Sequence, residues 1–167
     1  MKELLPLAEK AATLLKARKQ TIAVAESSAG GLINAALLAL PGASAYCKGG
    51  MVMYTRDALM SLRNMNKSMM DGIRASSEPY ALLKARVIRE HLVADWGLSE
   101  SGAAGPTGNK YGDKAGHCVL AVAGGIEKSL TLETASSDRQ ANMVAFGQAA
   151  LKLLIECLEQ APPANPR

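Results

Sequence analysis

The chain has 167 residues, of which 49% are hydrophobic, 20% charged and 4% aromatic. That balance fits one globular domain with an aliphatic core and excludes intrinsic disorder of the whole chain. The net charge of +4 is scattered, with neither a basic stripe nor interleaved aromatics, which argues against a nucleic-acid binder. The separated cysteines Cys47, Cys118 and Cys157 form no CxxC or Cys/His cluster, so reduced thiols, a cytoplasmic location and no metal site are expected.

Residues 3–18 place Leu4, Leu7, Ala8, Ala11, Leu14 and Leu15 at helical spacing, with Lys and Glu between them. Charges run through this apolar stretch, so it is read as neither a signal peptide nor a membrane span. "TIAVA" (21–25) predicts a buried strand, and "GLINAALLAL" (31–40) a helix stopped by Pro41–Gly42. "AYCKGGMVMYT" (45–55) holds a second strand ending near Tyr54. Residues 56–73 predict one or two short helices, and Met51, Met53, Met60, Met65, Met69 and Met70 are expected to fill core.

From Ser77 as N-cap, a helix is predicted to about Trp96, closed by Gly97. "GLSESGAAG" (97–105) reads as a short strand and a small-residue turn, followed by the Gly-rich loop 105–116. "HCVLAVAG" and "KSLTLETA" flank "GGIE" as two antiparallel strands. A final helix is capped by Ser137 or Asp138, leaving a single domain over 1–160 and a disordered tail over 161–167. Alternating strands and helices ending in a hairpin predict a three-layer α/β/α sandwich with a mixed sheet.

In such sheets ligands sit at the carboxyl ends of the strands. Three segments fall there: Glu26–Gly31, Tyr54–Leu59 and Ser101–Gly116. The first has three readings. Free N–H groups at a helix start bind phosphate or an oxyanion, with Gly30 and Gly31 allowing close approach. Ser27 or Ser28 supplies a nucleophile, given a base. Or both serines only cap the helix. His91 lies on a charged helix face and is expected to be solvated; His117 opens a strand. Neither completes a Ser/His/Asp triad, which leaves a lysine or tyrosine as base. The loop "GPTGNKYGDKAG" offers backbone donors with Lys110 and Lys114, but it is not GxxxxGK[ST], and no GxGxxG follows a strand.

The ordered set "AESSAGG", "LPGASAYCKGGMVMYTRDAL", "ASSE", "SGAAGPTGN", "DKAGHCVL" and "SDR" spans almost the whole chain. It resembles the CinA C-terminal domain family, the stand-alone nicotinamide-nucleotide amidases. That family carries AES-C-T-G-G, P-G-S-S, G-x-V-x-Y-S-N-E-A-K, A-V-S-E, T-G-I-A-G-P-x-G-G, K-P-V-G and G-D-R in the same order. The resemblance implies a three-layer α/β/α fold and a homodimer. It also implies hydrolysis of nicotinamide mononucleotide to nicotinic acid mononucleotide and ammonia, in pyridine-nucleotide salvage, with no metal or cofactor and no nucleic-acid or membrane partner. By resemblance Ser27 is the nucleophile and Tyr54 stands beside it. Glu26, Ser28, Gly30, Gly31, Ser101, Gly105 and Gly108 contact substrate, and Arg139 clamps the phosphate.

Several positions depart from the family pattern. The family's lysine base falls five residues after the tyrosine, where this chain has Leu59. Arg56 is near but stays protonated, so it cannot take a proton. Ser28–Ala29 replaces Cys–Thr, Asn109 replaces the second loop glycine, Asp113 replaces the K-P-V-G lysine with Lys114 next to it, and Met143 replaces an arginine. Lys114, His117 or Tyr54 are the candidate substitutes for the base. Three functions follow: a working amidase, a nucleotide-binding or regulatory protein that kept the pocket and lost the base, and a structural domain without a ligand.

Overall fold

The computed structural model describes residues 1–163. Helix α1 (Leu5–Arg18) opens with Pro6 in its first turn and closes on Lys19 in the left-handed region, burying Ala8, Ala11, Ala12 and Leu15. Strand β1 (Ile22–Glu26) is buried along its whole length, as a central strand covered on both faces must be. Helix α2 (Leu32–Leu38) follows, then a 3-10 turn at Ala43–Ala45, strand β2 (Cys47–Val52), helix α3 (Arg56–Met60) and a second 3-10 turn at Lys67–Met70. Helix α4 (Glu78–His91), strands β3 (Trp96–Gly102), β4 (His117–Ala123) and β5 (Glu127–Glu133), and helix α5 (Arg139–Gln160) complete the order.

The strands form one sheet in the order β2–β1–β3–β4–β5. β1 pairs in parallel with β2 and β3, whereas β3–β4 and β4–β5 are antiparallel. Side chains alternate across it. Ile22, Val24, Trp96, Leu98, Leu120 and Val122 face a layer made by α1, α2 and α5. Ala23 and Ala25 face α4, together with Leu59, Leu83, Val87 and Ile88, and Ala81 and Ala85 pack on Val119 and Ala121. This is the expected three-layer α/β/α sandwich with a mixed sheet. By length and composition α5 could cross a membrane, but its Phe146, Ala150, Leu151, Leu154 and Leu158 are buried against the sheet layer, as in a core helix.

Three local expectations change. The helix expected to reach Trp96 ends at His91, because Val93 adopts a left-handed conformation and turns the chain back towards the sheet. Trp96 therefore begins β3 opposite Ile22, and its indole N–H donates to Gln20 Oε1 at 2.9 Å. Met53 and Met65 are core residues, but Met51 lies 38% exposed on the edge strand β2. Asp138, not Ser137, caps α5, accepting from the Ala141 N–H at 3.0 Å. Ala161 is buried, and its carbonyl and that of Pro162 accept from Arg18; the rest of the expected tail, 164–167, lies outside the described residues.

Gly97 explains how close α4 lies to the sheet. A Cβ there would stand 1.9 Å from the Ala85 carbonyl oxygen. Gly97→Ala should push helix and strand apart and cost about 3 kcal/mol, read as a lower urea midpoint with an unchanged slope.

Candidate active site

The carboxyl ends of β1, β2 and β3 open on one cleft of about 830 Å³. Ser27, Tyr54, Arg56, Tyr80, Ser101 and Tyr111 are among its walls, so the three segments singled out in the sequence converge. Ser27 follows β1 directly and is 9% exposed.

Two buried carboxylates build the loop that carries Ser27. Glu26 turns away from the cleft and caps α2. Its Oε2 accepts from the Gly31 and Ile33 N–H groups at 2.9 and 3.1 Å, and its Oε1 from Asn34 N–H at 2.8 Å. Burial pushes its pKa up, against these three bonds, and the like charge of Glu100 adds to the rise. Glu100, from β3, accepts from the Ser27 and Ala29 N–H groups, both at 2.9 Å, and from the Ser28 hydroxyl. The helix start expected to bind an anion is therefore already filled by the protein's own carboxylate, and that reading is corrected. Gly30 and Gly31 serve the backbone instead, with φ of +67° and +97°. Among the described residues two donors of this loop have no hydrogen-bond partner: the Ser27 hydroxyl and the Ser28 N–H.

Arg139 ties two walls together. It donates to the Gly105 carbonyl at 2.7 Å and to Tyr54 Oη at 3.2 Å, so it positions Tyr54 and does not itself line the cleft. Gly105 and Gly108 are also packing residues. A Cβ at Gly105 would meet the Ser137 carbonyl oxygen at 2.6 Å, and one at Gly108 the Asp113 carbonyl oxygen at 2.0 Å. Asn109, where the family has glycine, organises the loop tip. Its Oδ1 accepts from Tyr111 and Asp113 N–H groups at 3.0 and 3.1 Å, and its Nδ2 donates to Asp113 Oδ2 at 2.8 Å. Of the residues expected to meet substrate, Ser27, Tyr54 and Ser101 reach the cleft wall. Glu26, Ser28, Gly30, Gly31, Gly105, Gly108 and Arg139 stand behind it.

Of the expected substitutes for the base, Tyr54 reaches the cleft wall, whereas Lys114 and His117 do not. Leu59 is fully buried among Met53, Leu62, Met65 and Leu83. Lys114 lies outside the cleft. His117 is engaged on both sides, Nδ1 with Glu133 and Nε2 with the Ser76 carbonyl at 3.0 Å. Burial works against its charge, but Glu133, the Ser76 carbonyl and Asp113 outweigh it and raise its pKa. His91 is half-buried with Nδ1 unpartnered among the described residues, not solvated. Lys84 was missed. It is fully buried, donates to the Glu100 carbonyl at 3.0 Å, and lies 5.8 Å from the centroid of the Tyr80 ring. Burial lowers its pKa to about 8, with Glu100, Cys118 and Glu26 pulling the other way. The signal was in the pattern, since Lys84 falls on the stripe Ala81, Ala85, Ile88 that the helix buries. Among the described residues no three His, Cys, Asp or Glu side chains are grouped to hold a metal.

The family model of the CinA C-terminal domain matches residues 4–158. A CinA-like protein of Gloeobacter violaceus is 42% identical over 118 residues, covering 71% of this chain and 28% of its own length. One from a Sulfurihydrogenibium species is 33% identical over 150 residues, covering 90% and 38%. The chain thus spans well under half the length of these curated relatives. Among solved structures, a CinA superfamily protein of Klebsiella pneumoniae superposes with a TM-score of 0.86 at 26% identity, over 93% of this chain and 98% of that one. A competence/damage inducible protein of Agrobacterium tumefaciens gives 0.85 at 28%, over 95% and 96%. With a sheet, a loop order and a sequence that agree along nearly its whole length, the chain belongs to the CinA family and carries that family's C-terminal domain.

Proposed function

We propose that this chain is a serine-dependent amidohydrolase acting on the carboxamide of a pyridine nucleotide, with nicotinamide mononucleotide as the substrate to test first. The observation that carries the reading is an unpartnered hydroxyl on the cleft wall, Ser27, followed directly by an unpartnered N–H, that of Ser28. The Ser27 hydroxyl is free to attack, and the N–H of the next residue is free to donate to the oxygen that becomes negative. A carboxamide is a poor electrophile, and one such donor is worth about 3–4 kcal/mol in the transition state. The wall suits the rest of the substrate. Tyr80 and Tyr111 border the cleft with aromatic surface, while Arg56, Arg74 and Lys110 supply positive charge for a phosphomonoester.

Attack by Ser27 Oγ forms a tetrahedral adduct that expels ammonia and leaves an acyl ester, which water then hydrolyses to the carboxylate. A second reading is a nucleotide-binding protein without turnover, favoured by the buried apolar Leu59 at the base position. Ammonia release from nicotinamide mononucleotide separates the two. The expected result is release that Ser27→Ala abolishes. Calorimetric binding with no ammonia would replace the amidase by the binding protein, and neither heat nor ammonia would remove both.

Glu100→Gln tests the loop itself. An amide has one acceptor oxygen, so it leaves either the Ser28 hydroxyl proton or the two N–H groups without their acceptor. Stability should fall by about 1–3 kcal/mol in urea unfolding, and ammonia release should fall with it.

A further inference from the structure

Lys84 is an expensive residue to place where it is. An ammonium has three N–H donors, and among the described residues Lys84 has one acceptor, the Glu100 carbonyl. The nearby carboxylates do not close the gap: the hydrogen bonds of Glu26 and Glu100 go to other donors, and among the described residues none runs to Lys84. An unbranched apolar side chain would fill the same space without that cost. A buried, under-satisfied amine therefore needs an explanation beyond packing.

Its position supplies one. Lys84 lies one helical turn after Tyr80, which lines the cleft. Its acceptor is the residue before Ser101, which also lines the cleft. Lys84 and Ser27 hang on the same residue: Nζ on the carbonyl of Glu100, the Ser27 N–H on its carboxylate.

We propose that Lys84 is the proton acceptor for the Ser27 hydroxyl, held by α4 on the Glu100 carbonyl behind the cleft wall, in place of a lysine at position 59. The proposal rests on the amidohydrolase reading above. Neutral Lys84 Nζ takes the Oγ proton as Oγ bonds to the carboxamide carbon. The resulting ammonium returns that proton to the departing nitrogen as the C–N bond breaks, releasing ammonia. Nζ then takes a proton from water as its oxygen attacks the ester, and gives it to Ser27 Oγ as the C–O bond breaks, leaving the acid.

The lowered pKa agrees with this role. With a value near 8, about a tenth of the amine is neutral at pH 7, far more than for an exposed lysine. The groups that face it are Glu26 from β1, Glu100 from β3, Cys118 from β4 and Tyr80 from its own helix. The carboxylates favour the ammonium and burial opposes it; burial wins. Reactivity should therefore rise with pH and level off above about 8.

The test reads serine reactivity without the natural substrate. The full chain is treated with an alkyl fluorophosphonate between pH 6 and 9, and the adduct is mapped by mass spectrometry. Wild type should be labelled at Ser27, about tenfold faster at pH 7 than at pH 6. Lys84→Met should slow labelling at least about 100-fold, with an unchanged circular dichroism spectrum and a Tm at or above wild type. Lys84→Arg keeps the charge and a donor but cannot accept a proton, so it should fold and stay unlabelled even where the methionine variant does not fold. Labelling of either folded variant at the wild-type rate, or no Ser27 adduct on wild type at any pH, overturns the proposal. Lys84-dependent labelling without ammonia from nicotinamide mononucleotide removes the amidase reading and keeps Lys84 as the base. Ammonia release with Lys84-independent labelling does the reverse.

Discussion

The Glu100 carboxylate is the constraint on which the site depends. It sits inside the sandwich with no exposed surface and gathers the N–H groups of Ser27 and Ala29 and the Ser28 hydroxyl. A buried carboxylate is costly unless its lone pairs are filled, and a loop leaving a buried strand is costly unless its N–H groups are. Each solves the other's problem. The arrangement holds the backbone around Ser27 from within the protein and leaves its hydroxyl uncommitted. Glu26 does the same for the first turn of α2, so together the two acids complete the turn from strand to helix without a ligand.

That arrangement depends on close packing between layers. Gly97 lets the Ala85 turn of α4 approach β3, and small residues at Ala81, Ala85, Val119 and Ala121 keep the layers near each other. Only at such a distance can a side chain from position 84 reach the carbonyl of residue 100. On the far wall, Arg139 at the start of α5 bridges Gly105 and Tyr54, so the last helix fixes the rim while β3 fixes the floor. The glycines of loop 105–116 belong to this architecture. Gly105 and Gly108 make room for neighbouring carbonyls, those of Ser137 and Asp113.

Elements with a clear hydrophobic period were legible in the sequence. Alternating strands and helices gave the sandwich, and chain order brought three segments to one edge. What stayed hidden was set by non-local pairing. Nothing local marks the end of α4 at His91; the turn at Val93 and the pairing of Trp96 with Ile22 decide it. Glu100 reads locally as one acid in "SESG", and its partners lie more than 70 residues away. The free helix start was misjudged for the same reason, since the acid that fills it, Glu26, looked like part of the site. Lys84 was hidden differently: its helical position was visible, but a charged residue on an apolar stripe is easily counted with the solvated face.

Leu59 and Lys84 then belong to one physical problem. An apolar side chain at 59 joins Met53, Met65 and Leu83 in a dry cluster on the α4 side of the sheet. Position 84 lies on the same side, but it has a strand carbonyl to bind and two carboxylates close enough to favour its charged form. Burial still dominates, and the balance holds the amine's pKa down at about 8. A proton acceptor for a serine needs that compromise: charged too firmly it cannot accept, and with no polar neighbours it cannot hold the proton once taken. The surroundings of Lys84 combine both features, a carbonyl to bind and burial that weakens its charge.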